Sequence, residues 1–298
     1  HYVKEYLPKL KASTSYDYQN RLKRYVLPEL GSKKLNQIDK VLIERLLFEI
    51  AKETPTTANR VKAILSSMFS YGVYSNQVTQ NPVSSVKFKE KERVRDRVYT
   101  DEEMKKILYA IDTIREPYKS NIKLIIYTGQ RVSEINSLKW SDISEDRINI
   151  RAENTKNSLG QIIPIVQGIL LILKNIESSS KDYSEYLFPI KNNKNKHRTS
   201  MSKVLKYIKN ESGVLDFRLH DIRTQMVSKL SEKGISRTVV GKLLNHKQLS
   251  GDNSVTGMHY DKHSYYNQKI EALEIWIEYL ENLLGRHYTD KKLSRWVG

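Results

Sequence analysis

Along the N-terminal third of the chain, apolar residues recur at the three-and-four spacing of helices. In QIDKVLIERLLFEIAKE, Val41, Ile43, Leu46, Leu47 and Ile50 form one apolar face behind Asp39, a residue suited to capping a first turn. PTTANRVKAILSSMFSYGVYSN carries Pro55 at its start and Val61, Ile64, Leu65, Met68 and Phe69 at helical spacing, with Lys and Arg off that face. An earlier helix is expected in STSYDYQNRLKRYVLPEL, with its opening Ser and Thr as caps. Together these predict a small basic helical bundle over residues 1–86.

The pattern then changes. VKFKEKERVRDRVYT is densely charged without a sustained apolar period, so residues 87–98 are expected to link two domains. Order restarts at TDEEMKKILYAI, where Thr100 and Glu103 form a capping box ahead of an apolar helix, opening a second domain over 99–281. RINIRAENTKNSLGQIIPI alternates around an Asn/Gly-containing turn, which predicts a short antiparallel sheet, whereas KNNKNKHRTS reads as a polar loop. Near the end, Tyr266, Ile270, Leu273 and Ile277 form a helical stripe, Gly285 offers a stop, and a tail over 282–298 carries Leu293, Trp296 and Val297 among basic and polar residues. The expected fold class is mainly α, in two domains: a helical bundle, then a mixed α/β domain with a small antiparallel sheet.

Charge narrows the partner. Among 298 residues, 51 Lys and Arg stand against 34 Asp and Glu, a formal charge of +17, which favours a polyanion, nucleic acid ahead of a membrane surface. No apolar run approaches the roughly 20 residues of a membrane span, and no signal-peptide pattern opens the chain. The absence of cysteine removes disulfides and thiolate metal sites. A soluble, cytoplasmic protein is expected.

Several stretches carry candidate chemistry. IIYTGQRVSEINSLKWSDI places Arg131 after a Thr-Gly turn and Glu134 one helical turn later, and LHDIRTQMVSKLSEKG aims His220 and Arg223 at one spot on a helix. VVGKLLNHK supplies His246 after an apolar segment, and VTGMHYDKHSYYNQKIEALEIW crowds Tyr260, Tyr265 and Tyr266 beside His259 and His263. Singly these are weak: an Arg-rich chain produces HxxR by chance, and a histidine ending an apolar helix is more often a cap. His259 and His263 are four apart, yet without cysteine or clustered carboxylates no metal site is expected. Tyr266 opens the apolar stripe with Tyr265 at its flank, while Tyr260 stands outside it.

Taken in this order, the stretches resemble the tyrosine recombinase, or phage integrase, family over about residues 100–280. TGQRVSEI matches the family's Arg box at Arg131 and Glu134, HDIR matches at His220 and Arg223, and LLNHK matches the second-His box at His246. Lys156, ahead of the turn in NTKNSLGQIIPI, matches the family's hairpin lysine. Asn245 stands where that box usually has Gly, and KQLSGDNS widens the interval from His246 to the tyrosine. The resemblance implies a recombinase fold closing as a two-domain clamp on double-stranded DNA, cleaving and rejoining it through a covalent 3′-phosphotyrosine without metal, other cofactor or ATP.

It also implies roles. Arg131 and Arg223 would hold the nonbridging oxygens of the scissile phosphate, His220 would take the phenolic proton, Lys156 would protonate the leaving 5′-hydroxyl, and His246 would hydrogen-bond the phosphate. Glu134 would orient these groups. Tyr260 is the expected nucleophile, with Tyr265 the alternative. The expected assembly is a homotetramer on DNA recombination sites, with the tail docking on a neighbouring subunit and DNA-bending accessory proteins as possible partners. A start at His1 inside a helix fits a longer protein with an arm-binding domain ahead. Integration or excision of a phage or mobile island is the first reading. An Xer-like dimer resolvase or a DNA invertase is the alternative within the family, a relaxing topoisomerase of similar chemistry is a third, and a non-catalytic DNA-binding regulator comes from another class.

Overall fold

The computed structural model describes residues 1–92, 95–155, 159–179, 184–191, 193–246 and 265–286. The chain divides into two compact units, His1–Arg95 and Asp96–Gly298.

In the first unit, α1 (Ala12–Arg21) runs through a wider π turn into the short α2 (Leu27–Leu30), followed by α3 (Lys40–Glu53) and α4 (Pro55–Tyr74). Asp39 caps α3 by accepting the Leu42 N–H at 2.9 Å, and Pro55 opens α4. The expected Ser and Thr caps of α1 are not used. The helix starts earlier, at Ala12, with Lys11 as its cap: the Lys11 carbonyl accepts from Thr14 and Ser15, and its side chain, having no acceptor, makes no cap hydrogen bond. Leu22, Val26, Leu47, Ile64, Leu65 and Phe69 are among the buried core. Phe88, inside the charged stretch read as a link, belongs to this core too: it is buried, lies edge-on to Phe48, and its carbonyl accepts from Lys62.

The second unit is built from α5 (Asp101–Asp112), α6 (Tyr118–Thr128), α7 (Val132–Asn136), a hairpin of β1 (Arg147–Ile150) and β2 (Gln161–Pro164), and α8 (Gln167–Ser179). A second hairpin of β3 (Pro189–Ile190) and β4 (Asn193–His197) follows, then α9 (Ser202–Ser212), α10 (Asp221–Glu232), α11 (Arg237–Leu244) and α12 (Tyr266–Leu283). The Thr100–Glu103 capping box is formed in both directions. β1 and β2 pair antiparallel, with Ile148 opposite Ile163, as the alternation predicts. KNNKNKHRTS is not a loop, since β4 lies within it. That strand is polar on both faces and is held through its backbone to β3, so it carries no alternating signal.

α12 lies against α6, where the buried Trp276 donates its indole N–H to the Ile126 carbonyl at 2.9 Å. It ends as Gly285 turns left-handed (φ +68°) and the Arg286 N–H reaches back to Glu281. Among the described residues no helix is long and apolar enough to cross a membrane.

Candidate active site

The site is assembled on a turn that only glycine fits. Gly129 ends α6 at φ +64°, and a Cβ there would lie 2.5 Å from Met226 Sδ and 2.8 Å from Leu244 Cδ2. Both the dihedral and the close approach of α10 and α11 therefore require its bare backbone. Next, the buried Gln130 donates from Nε2 to the carbonyls of Thr128 and Leu243, each at 2.9 Å, tying the turn to the end of α11. Arg131 then leaves in extended conformation into α7. Glu134, fully buried in that helix, accepts the Arg131 N–H at 3.0 Å and its Nη1 at 2.8 Å. One carboxylate thus caps the helix and aims the guanidinium.

α10 is positioned from the other side by a buried network. Tyr99 donates its N–H to Gln225 Oε1 at 2.7 Å and receives Gln225 Nε2 on its carbonyl at 3.1 Å, while its hydroxyl donates to Asp221 at 2.8 Å. This holds the first turn of α10, with His220 exposed at its cap and Arg223 one turn on, only 3% exposed. Arg223 donates from Nη1 to the Gly129 carbonyl and from Nη2 to the Leu244 carbonyl, joining three segments distant in sequence. Burial, reinforced by the neighbouring Arg131 and opposed by Glu134, lowers its pKa to about 10, so it remains a cation at neutral pH.

α11 ends on Asn245 in the left-handed region (φ 52°), with its side chain donating to the Leu159 carbonyl at 3.2 Å. Asn is the non-glycine residue that adopts this conformation most readily, which explains why it can stand in this box. The turn brings His246 into the field of Arg223, Arg131 and His220. Burial first, and those charges next, push its pKa down to about 4. At neutral pH it is an uncharged imidazole, able to donate one N–H without adding a charge.

Arg131, His220 and Arg223 line one open cavity of about 440 Å³, together with His197, Arg198 and Thr199. His197 ends β4 and Arg198 and Thr199 follow it; none of the three was singled out in the sequence. Their only signal was a basic run beside Thr and Ser, which does not disclose which strand it pairs with. Lys156 and Tyr260 lie outside the described residues, as do His259, His263 and the tail from residue 287. Tyr265 caps α12 in a left-handed conformation (φ 48°), beneath Lys242 Nζ at 5.8 Å from its ring centre, and packs on the core. Tyr266 donates to the Asp146 carbonyl at 2.7 Å; burial and the Asp146 carboxylate raise its pKa to about 12. Its phenol ties α12 to the β1 end of the first hairpin. Among the described residues no three His, Asp or Glu side chains converge as metal ligands.

A family model described as the phage integrase family matches residues 97–265, and one for the phage integrase central domain matches residues 1–89. A tyrosine recombinase of Thermosipho africanus is 28% identical over 228 residues, covering 73% of this chain and 80% of that protein. Among solved structures, a lambda integrase dimer bound to a COC′ core site superposes with a TM-score of 0.66 at 20% identity, covering 85% of this chain and 96% of that one. A lambda integrase tetramer bound to a Holliday junction gives the same TM-score and identity over 85% of this chain and 79% of that one. At that identity the likeness speaks for the fold alone, but the family model spans more than half of the chain, together with the motifs and the turn that houses them: the chain belongs to the phage integrase family.

Proposed function

We propose that the chain is a site-specific recombinase that cleaves and rejoins double-stranded DNA, with Arg131, Lys156, His220, Arg223, His246 and Tyr260 as its reacting and phosphate-binding groups. The observation that carries this is the convergence of Arg131, His220 and Arg223 on one cavity, with His246 held neutral beside them. Two guanidiniums in a partly buried site suit a phosphodiester whose nonbridging oxygens gain charge in the transition state.

In the proposed step the Tyr260 phenolic oxygen attacks phosphorus as the bond to the 5′ oxygen breaks. The phenolic proton passes to His220, and the leaving oxygen takes a proton from Lys156. His246 donates a hydrogen bond to the phosphate from its neutral ring. The product is a 3′-phosphotyrosyl ester and a free 5′-hydroxyl. Attack by a 5′-hydroxyl of another strand reverses the step, so exchange needs no external energy source. Glu134 acts through Arg131.

Duplex DNA as substrate fits the charge of +17. The lambda integrase neighbours were solved on a core site and, as a tetramer, on a Holliday junction; a tetramer on paired sites is the proposed assembly here as well. Integration or excision of a mobile element is the proposed role. A nicked-duplex library of random sequence tests the activity and finds the preferred site together. Protein attached covalently to a 3′ end, followed by exchange between two copies of the selected site, is expected. Relaxation of supercoiled DNA without exchange would instead indicate a topoisomerase, and binding without any adduct would indicate a regulator.

A further inference from the structure

Arg198 has no role in the step just described, yet it lines the same cavity as Arg131, His220 and Arg223. It is held there firmly. Its N–H donates to the carbonyl of the buried Phe188 at 2.9 Å, and Leu187, next to Phe188, donates to the Leu138 carbonyl at 3.0 Å, two residues beyond α7. His197, paired with Pro189 in the second hairpin, stands against Tyr186 with ring centres 5.4 Å apart. The Arg198 guanidinium lies over the Tyr118 ring, with Cζ 3.8 Å from its centre.

Its charge is unanswered within the described residues. No carboxylate pairs with it there, and its Nη1 is buried without a hydrogen-bond partner. The other two arginines of the cavity are more fully engaged: Arg131 is paired with Glu134, and Arg223, although its Nε also lacks a partner, donates from both Nη atoms to carbonyls. A guanidinium fixed on an aromatic face, with its Nη1 unpartnered and no carboxylate paired to it among the described residues, beside Arg131 and Arg223, is organised to receive an anion. In a nucleic-acid cleft the scissile phosphate engages Arg131 and Arg223, so the anion left for Arg198 is the neighbouring phosphate of the same backbone.

We propose that Arg198, braced on Tyr118 and flanked by His197 and Thr199, binds a DNA backbone phosphate adjacent to the scissile one and so sets the register in which the strand enters the site. The inference rests on the recombinase reading for the identity of the cleft, and concerns a positioning contact.

The test uses the full chain and a set of nicked duplexes of the selected site, each with one phosphate replaced by a neutral methylphosphonate. With wild-type protein, neutralising the phosphate that Arg198 contacts should weaken binding and slow adduct formation by roughly tenfold or more, the scale of one charge-assisted hydrogen bond. With Arg198→Gln, that same replacement should have no further effect, while replacements elsewhere keep theirs. The salt dependence of Arg198→Gln should be shallower by about 0.9 in log–log slope, and Arg198→Lys, which keeps the charge, should retain the wild-type slope. Penalties that add independently at every flanking position would overturn the proposal, as would coupling confined to the scissile phosphate. A loss of thermal stability in Arg198→Gln, with slope and coupling unchanged, would mean that the residue only packs. Wild-type protein that binds but forms no adduct would sink the recombinase reading, while coupling in the binding isotherms would still support the phosphate contact.

Discussion

Replacing Glu134 by Gln keeps the shape of the site and removes the carboxylate that stands between Arg131 and Arg223. Glu134 is wholly buried and accepts from Arg131 at 3.0 Å through the backbone N–H and at 2.8 Å through Nη1. A glutamine can serve one of these donors with its oxygen, but presents its NH₂ to the other. The lost charge-assisted bond is worth about 1.5–3 kcal/mol, and removing one partner of a buried ion pair costs about 3–5 kcal/mol. Because the Arg131 side chain retains 23% exposure, the lower part of that range applies, and about 3 kcal/mol is expected for the substitution. All three tryptophans, Trp140, Trp276 and Trp296, lie in the second unit, so urea unfolding followed by tryptophan fluorescence reads this unit alone. Since the destabilisation comes from unbalanced positive charge, phosphate at about 0.1 M should restore more stability to Glu134→Gln than it adds to wild type, by preferential binding to the folded state. A loss under about 0.5 kcal/mol, or an equal response of both proteins to phosphate, would refute the charge-balancing role.

Three further outcomes follow from the same geometry. His246, with a folded pKa of about 4 against 6.5 unfolded, leaves the unfolded chain binding the extra proton between those values, so stability is complete above pH 6.5 and declines as pH falls toward 4. For a ring still partly open to water the decline is of order 1–2 kcal/mol, and His246→Gln should flatten it; an unchanged pH profile of urea unfolding would contradict the buried neutral imidazole. Gly129→Ala should destabilise the second unit by about 2–4 kcal/mol, from left-handed strain and overpacking against Met226 and Leu244, and a change within 0.5 kcal/mol would show that the turn relaxes freely. Cleavage should persist in excess EDTA, because Arg131, Arg223 and Lys156 supply the positive charge; loss of cleavage that magnesium restores would count against this chemistry.

Much of this fold is written locally. The apolar stripes of α3, α4, α5 and α12, the cap at Asp39, the Thr100–Glu103 box and the alternation of β1 and β2 are decided by neighbours within a few residues, and so can be read from the chain. What could not be read either rests on backbone bonds with no side-chain signal or depends on distant partners. α1 starts at Ala12 through backbone bonds to Lys11, although Ser13 and Thr14 stand close by. β4 forms because its backbone meets β3, with no apolar face to announce it. The site shows the same division. The motif order pointed to Arg131, Glu134, His220, Arg223 and His246, but the reason for glycine at 129 lies in Met226 and Leu244, and the place of Arg198 depends on Tyr118 and Phe188. Lys269 could not be foreseen either: in a helix stripe it would be assigned to solvent, yet it is buried and donates to the Ile162 carbonyl at 3.1 Å.

The most direct test of a phosphotyrosyl recombinase is to locate the covalent bond. Protein trapped on a nicked duplex is digested with protease and nuclease, and the peptide retaining a 3′-linked nucleotide is sequenced by mass spectrometry. The nucleotide is expected on Tyr260, with Tyr265 and Tyr266 unmodified, and Tyr260→Phe is expected to bind DNA while forming no adduct. A nucleotide on Tyr265, on another residue, or on none would contradict the assignment, and the last of these would contradict covalent catalysis altogether.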